Sequence, residues 1–169
     1  MIYTAAFLIG MIHIFTWEGS KLVDLKDGAG LTKYGITHKS YPHINIAKVT
    51  KRDAGKFYHI DYWVPIRADE MTCIMSLTVF DSSVNNGKFR AITRLQHILE
   101  LPESGVVTDA MLRKLEQKEK VYVFRAYNDH RIEFYKGCKQ YNKFGKGWLR
   151  RIPVKEECDL KVTELEVFG

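Results

Sequence analysis

Apolar residues follow helical spacing along most of this chain. Between Thr4 and Phe15 they occupy every face of the segment, which predicts a first helix that runs through the core and ends near Gly19. Thr50 with Asp53, Asp69 and Thr108 have the side chains that favour a helix start. The later segments with helical spacing are 50–63, 69–84, 89–99 and 108–115, the last of them open to extension to about residue 135.

A small β element is predicted directly after the first helix. Residues 21–27 and 31–37 have an extended pattern, and the Asp27-Gly28-Ala29-Gly30 step between them is typical of a hairpin. Gly145 and Gly147 indicate a turn, and residues 160–168 alternate apolar and polar positions like an edge strand. The pattern therefore predicts an α+β fold, mostly helical with one β-hairpin, in a single compact domain over residues 1–169.

The composition, with 46% hydrophobic and 27% charged residues, is that of an ordinary folded protein. A net charge of +6 favours a polyanionic partner, namely nucleic acid, a membrane surface or the bacterial cell wall. The basic and aromatic stretch 136–151 suits the same partners, and a merely solvated basic face is the plainer alternative.

The cysteines and the N-terminal residues exclude several protein classes. Cys73, Cys138 and Cys158 are odd in number and form no C-x-x-C pair, so we expect reduced structural thiols rather than one disulfide with a free thiol, and no zinc site. Residues 1–17 contain no Lys, Arg, Asp or Glu, yet they lack the basic start of a signal peptide and the length of a membrane span. A buried helix is the favoured interpretation, with a weak, releasable membrane signal as the alternative.

A carboxylate closes the predicted first helix. Glu18 lies between Trp17 and Gly19, and burial beside an aromatic ring raises the pKa of a carboxyl group. The general acid of a glycosidase needs such a shift to stay protonated near neutral pH. Asp27 at the turn would be the ionised partner, and the Thr32 hydroxyl would hold a water. On spacing alone, the plainer interpretation is favoured, in which Glu18 only ends a helix and Asp27 only makes a turn.

Two sequence motifs favour the catalytic interpretation of Glu18 over the plainer one. They are Trp17-Glu18-Gly19-Ser20 and Asp24-Leu25-Lys26-Asp27-Gly28-Ala29-Gly30-Leu31-Thr32-Lys33-Tyr34-Gly35-Ile36-Thr37. Together they resemble glycoside hydrolase family 108, lysozyme-like muramidases of phages and bacteria. Weaker collinear matches extend the resemblance to roughly Phe7–Ile152: Tyr62-Trp63, Phe80-Asp81, Val84-Asn85-Asn86-Gly87, Ala91, Leu95-Gln96, Thr108 and Gly147-Trp148-Leu149-Arg150-Arg151. Ser20 departs from the second glycine of the family's E-G-G motif, and Leu25 and Gly28 stand where the family has prolines.

The resemblance implies a lysozyme-like fold and a catalytic set of Glu18 as acid with Asp27 and Thr32. It implies hydrolysis of the β-1,4 bond between N-acetylmuramic acid and N-acetylglucosamine, with no metal and no cofactor. It also divides the domain into a catalytic part over about 1–70, a helical peptidoglycan-binding part over about 71–152, and a tail, 153–169, of unknown role.

Further side chains are candidates for contact with the sugar chain. Tyr34 and Gly35 suit the wall of a cleft, although packing of the hairpin on the core explains them equally well. Asn85 and Asn86 offer amide groups for N-acetyl groups, or simply end a helix. Trp63 and Trp148 are the remaining substrate-binding candidates, and for both a core position is the commoner outcome.

These features lead to one functional hypothesis with three rivals. We expect a monomeric phage endolysin, or a phage-derived bacterial homologue, that acts on the peptidoglycan glycan strand. It would be made in the bacterial cytoplasm and act in the periplasm, without a stable membrane span or a nucleic-acid partner. The first rival is a virion-associated lysin. The second is a non-catalytic wall-binding or secretion-assisting protein. A basic nucleic-acid-binding domain is the third and ranks far behind, since salt-dependent binding to DNA but not to cell walls would be needed to support it.

Overall fold

The structure, a computed structural model, describes residues 2–24, 26, 28 and 30–169. Within them the chain forms eight α-helices and one small antiparallel sheet, which confirms the α+β, lysozyme-like fold class. The helices are α1 (Ala5–Trp17), α2 (Lys51–Tyr58), α3 (Cys73–Asn86), α4 (Lys88–Ile98), α5 (Asp109–Gln117), α6 (Lys120–Lys136), α7 (Tyr141–Arg150) and α8 (Glu164–Phe168). Short 3-10 helices lie at Ile46–Lys48, Ala68–Glu70 and Lys155–Asp159, and a π-helical turn at His59–Trp63.

Helix α1 is the buried helix that the sequence predicts. The Thr4 hydroxyl accepts a hydrogen bond from the Phe7 N–H (3.3 Å) and caps its start. Side chains such as Phe7 are fully buried, and at Gly10 the absence of a side chain lets the Phe80 and Trp63 rings pack against the helix backbone. No helix among the described residues combines the length and the apolar character needed to cross a membrane.

The sheet contains three short strands, β1 (Val23–Asp24), β2 (Leu31–Lys33) and β3 (Ile36–Thr37), in the order β1-β2-β3. Thr32 of the middle strand pairs with Val23 on one side and Thr37 on the other. The sequence predicts one extended arm over 31–37, but Tyr34 and Gly35 take positive φ values of 53° and 76°. These left-handed conformations turn the chain, so the arm folds back as two strands.

The boundaries of two predicted helices differ in the structure. Thr72, not Asp69, precedes α3, because the Asp69 carboxylate instead accepts hydrogen bonds from the indole of Trp63 (2.8 Å) and the hydroxyl of Thr4 (2.7 Å). The helix starting at Thr108 ends at Gln117 rather than running on, because Glu119 caps a separate helix, α6. Its carboxylate accepts hydrogen bonds from the first backbone N–H groups of that helix.

Two glycines predicted as a turn lie inside a helix. Gly145 and Gly147 are part of α7. A Cβ atom at Gly145 would overlap the ring of Tyr141, whereas one at Gly147 would meet nothing within 4 Å. Gly145 therefore serves close packing within the helix rather than a backbone turn.

The C-terminal tail completes the fold instead of forming an edge strand. Thr163 and Glu166 form a capping box that starts α8, and this local signal overrides the alternating pattern. Val167 and Phe168 are buried, and the Phe168 ring packs on Tyr3 at a centroid distance of 5.5 Å. Residues 153–169 are therefore packed against the first helices.

A disulfide anchors the same tail. Cys158 is bonded to Cys73 at the start of α3, and Cys138 is the free cysteine. The expectation of reduced thiols is therefore wrong, since the sequence separation of 85 residues gave no local sign that the two sulfurs meet. The bridge ties the 3-10 helix Lys155–Asp159 to the centre of the fold.

A buried ion cluster joins the last elements of the chain to α1. Its centre is Asp81 of α3, which has no exposed surface. One carboxylate oxygen accepts a hydrogen bond from Arg131 of α6 (2.5 Å), and the other from Nε of Arg151 (2.9 Å), the residue that follows α7. Burial alone would raise the pKa of Asp81, but a hydrogen bond from His13 and the charges of Arg131 and Arg151 hold it well below its usual range.

His13 of α1 carries a positive charge in this cluster. Its Nδ1 lies 2.7 Å from a carboxylate oxygen of Glu157, and its Nε2 lies 3.0 Å from the carbonyl oxygen of Arg151. Both neighbours are acceptors, so both ring nitrogens donate and the imidazole is protonated. Burial lowers the pKa of His13, but hydrogen bonds to Asp81 and Glu157 outweigh burial and raise this pKa to about 9.

Removing the buried ring of Phe168 tests whether the tail belongs to the core. We expect Phe168→Ala to lower the free energy of unfolding by about 3–5 kcal/mol, because the lost ring leaves a cavity between α1, α2 and α8. Leu165→Ala in the same helix is the control, since Leu165 is 74% exposed. Denaturant unfolding at fixed pH compares the two variants, and equal losses would contradict the packing described here.

The charge on His13 predicts how stability changes with pH. Because the folded-state pKa of His13 is raised from 6.5 to about 9, its contribution is complete below about pH 6.5 and is lost as the pH rises through about 9. A shift of that size corresponds to at most roughly 3 kcal/mol. We therefore expect the Tm of the wild type to fall across this range.

The variant His13→Gln separates this effect from general alkaline unfolding. It should be less stable than the wild type at about pH 6 and should show a flatter loss of Tm towards pH 9. His43→Gln, at an exposed position, should keep the wild-type profile. A wild-type alkaline slope in His13→Gln would show that another group causes the loss.

Candidate active site

Glu18 lies at the point where α1 ends. Its backbone N–H still donates to the carbonyl of Ile14, but its own φ and ψ of −88° and 129° are extended, so the chain leaves the helix there. The Glu18 side chain is 24% exposed and forms an ion pair with Arg151, with 2.9 Å between Arg151 Nη2 and Glu18 Oε1. The carboxyl group is thus partly open to solvent and held from its protein side.

Arg151 connects Glu18 to the buried cluster. Its Nε donates to Asp81, while its terminal nitrogen contacts Glu18. Burial would lower the pKa of Arg151, but the negative charges of Asp81 and Glu18 raise it, so the guanidinium keeps its charge. With one end hydrogen-bonded to a fully buried carboxylate, Arg151 places a positive charge 2.9 Å from the Glu18 carboxyl group.

The turn between β2 and β3 forms the other side of the site. The Tyr34 N–H donates to the carbonyl of Gly19 (2.8 Å), and the Tyr58 hydroxyl donates to the carbonyl of Tyr34 (3.2 Å). A Cβ atom at Gly35 would overlap the Tyr58 hydroxyl and would lie 3.0 Å from the side-chain carbons of Glu18. Glycine at position 35 therefore leaves room for Glu18 and Tyr58, and its φ of +76° suits glycine as well.

Two tyrosines beside Glu18 are held neutral. Burial, followed by the negative charge of Glu18, raises the pKa of Tyr58 well above its ordinary value. Burial also raises the pKa of Tyr62, with smaller contributions from the charges of Asp61 and Glu18. Both phenols remain hydrogen-bond donors at neutral pH, and Tyr62 is only partly buried.

The second predicted carboxylate, Asp27, lies outside the described residues. Thr32 lies on the middle strand, half-buried, and its hydroxyl is 3.5 Å from the carbonyl of Gly30. That weak contact leaves the hydroxyl able to bind a water. The position of Thr32 agrees with the predicted role without testing it.

Three further residues predicted to bind the substrate, Asn85, Asn86 and Trp148, contact other side chains of the domain. Asn85 donates to a carboxylate oxygen of Asp81 (2.9 Å), so it belongs to the network that holds Arg151. The amide oxygen of Asn86 lies 3.5 Å from the Tyr135 hydroxyl, and the Tyr135 ring packs on Trp148 at 5.3 Å. Trp148 is partly exposed and stays a candidate for sugar contact.

Trp63 and Tyr34 both pack against the core, which is the alternative that the sequence left open for each. Trp63 has no exposed surface, so a sugar cannot reach its ring, and the predicted substrate contact does not fit this position. Tyr34 is partly buried, and its ring packs on Phe15 at a centroid distance of 5.8 Å. The backbone of Tyr34, through its hydrogen bonds with Gly19 and Tyr58, lies near Glu18, whereas its ring does not make these contacts.

Residues that sequence reasoning missed hold the site together. Arg151 and Asp81 lie within matched motifs but carried no distinct signal, because residues 70 positions apart meet only in the fold. His13 gave the clearest available sign, a titratable residue inside an otherwise apolar helix. In the described part of the chain, no group of three or more His, Cys, Asp or Glu side chains is arranged to hold a metal ion.

The arrangement offers a carboxyl group on a partly open surface, beside the neutral phenols of Tyr58 and Tyr62. Such a set can donate a proton to an oxygen of a bound ligand and can hydrogen-bond polar groups around it. It provides no cysteine or serine nucleophile beside a histidine base among the described residues.

Comparisons with known proteins agree with this chemistry. Residues 11–87, less than half of the chain, match the family described as glycosyl hydrolase 108, and the matched segment contains Glu18 and Thr32. The fold is similar to a solved structure titled "Structure of Brucella abortus SagA", with a TM-score of 0.77, 25% sequence identity, and coverage of 90% of this chain and 91% of that one. No curated protein matches the chain. The matched segment thus supports a glycoside hydrolase, and the likeness to SagA extends over the C-terminal helices as well.

Proposed function

We propose that the protein is a glycoside hydrolase of family 108 that cleaves peptidoglycan, with Glu18 as its general acid. The observation that carries the proposal is the position of Glu18, which ends the buried α1 and is fixed by Arg151 within 2.9 Å. This carboxyl group lies inside the segment that matches glycosyl hydrolase 108. The high coverage of the Brucella SagA structure supports the same assignment for the whole domain.

In the free protein the Glu18 carboxylate is paired with Arg151, so Glu18 must first take up a proton. In the proposed reaction it then donates this proton to the glycosidic oxygen as positive charge develops on the sugar ring. Arg151 keeps the Glu18 carboxyl group in one orientation. Asp27, with Thr32, positions a water on the opposite face of the sugar or stabilises the charged ring. A carboxyl separation of roughly 6.5–9.5 Å would give inversion at the anomeric carbon, and about 5–5.5 Å a covalent intermediate.

The finer assignment follows from the sequence motifs. We propose cleavage of the β-1,4 bond between N-acetylmuramic acid and N-acetylglucosamine, by a monomeric phage endolysin that acts in the periplasm. Residues 71–152 would supply contacts to the glycan strand, with the exposed Asn85 and the partly buried Asn86 and Trp148 as candidates. Because Asn85 also bonds to Asp81, it would position the network around Arg151 as well.

The variant Glu18→Gln tests the proposed acid. Glutamine keeps the shape of the side chain but cannot donate the proton, so clearing of purified Gram-negative sacculi should fall by roughly 10²- to 10⁴-fold. Glu116→Gln, on the exposed face of α5, is the matched control and should clear at the wild-type rate. Mass spectrometry of the fragments should find reducing N-acetylmuramic acid ends.

Either of two results would contradict the proposal. Fragments with reducing N-acetylglucosamine ends would leave a glycoside hydrolase with a different bond specificity. Sedimentation of both wild type and Glu18→Gln with sacculi, without clearing by either, would leave a wall-binding protein.

The variant Gly35→Ala tests the packing around the acid. A methyl group there should displace Glu18 and Tyr58, and we expect at least about a tenfold loss of sacculus clearing, because small misplacements of catalytic groups are costly. Gly87→Ala is the control for backbone strain, since Gly87 also has a positive φ (83°) but its Cβ would meet nothing within 4 Å. Equal activity of the two variants would show that Gly35 matters only for its backbone conformation.

A further inference from the structure

A buried arginine outside the proposed active site has no acidic partner. Arg94 of α4 is 3% exposed, and among the described residues no carboxylate lies within 4.0 Å of its guanidinium. The buried Arg131 and the nearly buried Arg151, by contrast, both pair with Asp81. A buried charge without a counter-ion is costly, so its presence calls for an explanation.

All the contacts of Arg94 are with neutral groups. Its Nη1 donates to the Ser82 hydroxyl (2.7 Å), and its Nε donates to Nδ1 of His130 (3.4 Å). The guanidinium also lies over the rings of Tyr127 and Phe134, at 5.4 Å and 5.6 Å. Stacking on aromatic rings offsets part of the desolvation cost, but it leaves the positive charge of Arg94 uncompensated.

Arg94 lines a cavity of about 240 Å³ on the surface formed by α4 and α6. We call it the Arg94 pocket; its lining residues are Arg90, Thr93, Arg94, His97, Glu103, His130 and Phe134. The Arg90 guanidinium lies over the Phe134 ring at 4.9 Å, and the His97 and His130 rings are 5.2 Å apart. Four of the seven lining side chains are therefore basic types, and Glu103 is the acidic one.

His130 presents a donor to this pocket. Because its Nδ1 accepts from Arg94, its Nε2 carries the proton in the neutral ring. Burial, then the charges of Arg94 and His97, lower the pKa of His130, so the ring is neutral at pH 7. The rim therefore offers the Arg90 guanidinium and the His130 N–H, above the Arg94 guanidinium at the floor.

We propose that the Arg94 pocket binds a carboxylate group, and that in the cell wall this carboxylate belongs to the peptide stems of peptidoglycan. Guanidinium groups match the planar geometry of a carboxylate, and they match phosphate equally well. The proposed substrate decides between them. Glu103 is paired with His97 (3.0 Å), so Arg90 and Arg94 would attract either anion, and the peptide stems of peptidoglycan carry carboxylates.

The position of the pocket is consistent with a stem attached to a bound glycan. Arg90 donates to the backbone carbonyl of Asn86 (3.0 Å), at the corner between α3 and α4. Asn85, the residue before Asn86, donates a hydrogen bond to Asp81. Asp81 in turn accepts a hydrogen bond from Arg151, which contacts Glu18. The stem assignment rests on the proposed function, while the carboxylate site itself rests on Arg94 and its neighbours.

Nuclear magnetic resonance of the histidine ring protons tests the site without hydrolysis. The protein is Glu18→Gln, and the probe is the free peptide stem released from sacculi by an amidase. Binding should shift the His97 and His130 signals and raise the pKa of His130, because an anion favours the protonated ring. The same peptide with its carboxyl groups converted to amides should cause no shift.

Variants then identify the groups that bind. Arg94→Gln should weaken binding of the peptide by roughly ten- to a hundredfold, the range for hydrogen bonds to a charged group. Arg90→Gln, at an exposed position, should weaken binding of the peptide by at least several-fold. If Arg94→Gln fails to fold, the affinity of Arg90→Gln is sufficient to test the site. Arg125→Gln, exposed on α6, should bind like the parent.

The outcomes separate this inference from the proposed function. Absence of a His130 shift, or unchanged affinity in Arg90→Gln, would overturn the carboxylate site. A shift with inorganic phosphate but not with the peptide would overturn the stem assignment in favour of a phosphate-bearing ligand. Peptide binding by a wild-type protein that fails to clear sacculi would contradict only the proposed function.

Discussion

The buried carboxylate of Asp81 is the interaction on which the rest of the structure depends. It brings together α1, α3, α6 and the chain after α7, through His13, Arg131 and Arg151. With Glu18 and Glu157 included, three basic and three acidic groups share the cluster. Removing Asp81 would leave the buried Arg131 without an acidic partner among the described residues, which costs far more than the intact network gains over apolar packing.

This cluster makes the geometry of the site a property of the whole domain. Glu18 comes from the first helix, Gly35 and Tyr58 supply its surroundings, and Arg151, from near the other end of the chain, fixes its orientation. The tail contributes as well, because Glu157 holds His13 and the adjacent Cys158 is bonded to α3. Ion pairs therefore join residues 11–87, the segment that matches glycosyl hydrolase 108, to the C-terminal helices.

Sequence patterns correctly predicted those structural features that depend on neighbouring residues. The apolar α1, the capping box at Thr50 and the position of Glu18 at a helix end follow from neighbouring residues. The prediction of an edge strand in the tail was wrong because Thr163 and Glu166 form a helix cap, which outweighs the alternating apolar and polar pattern. The contacts of Arg151 and the disulfide depend on residues far apart in sequence, so spacing and composition carried no information about them. The burial of Trp63, by contrast, was the commoner outcome for its residue type.

The contacts between the two ends of the described chain also bear on how the protein reaches its native state. Tyr3 donates its backbone N–H to Glu164 and packs on Phe168, across a sequence separation of about 160 residues. Contacts between residues so far apart in sequence form only after the entropy cost of closing the intervening loop has been overcome. Such contacts therefore slow folding. Helices α3, α4 and α6 have more local partners and can associate first. The acid and the arginine that orients it would then meet in the last stage of folding, so a partly folded chain would lack a competent site.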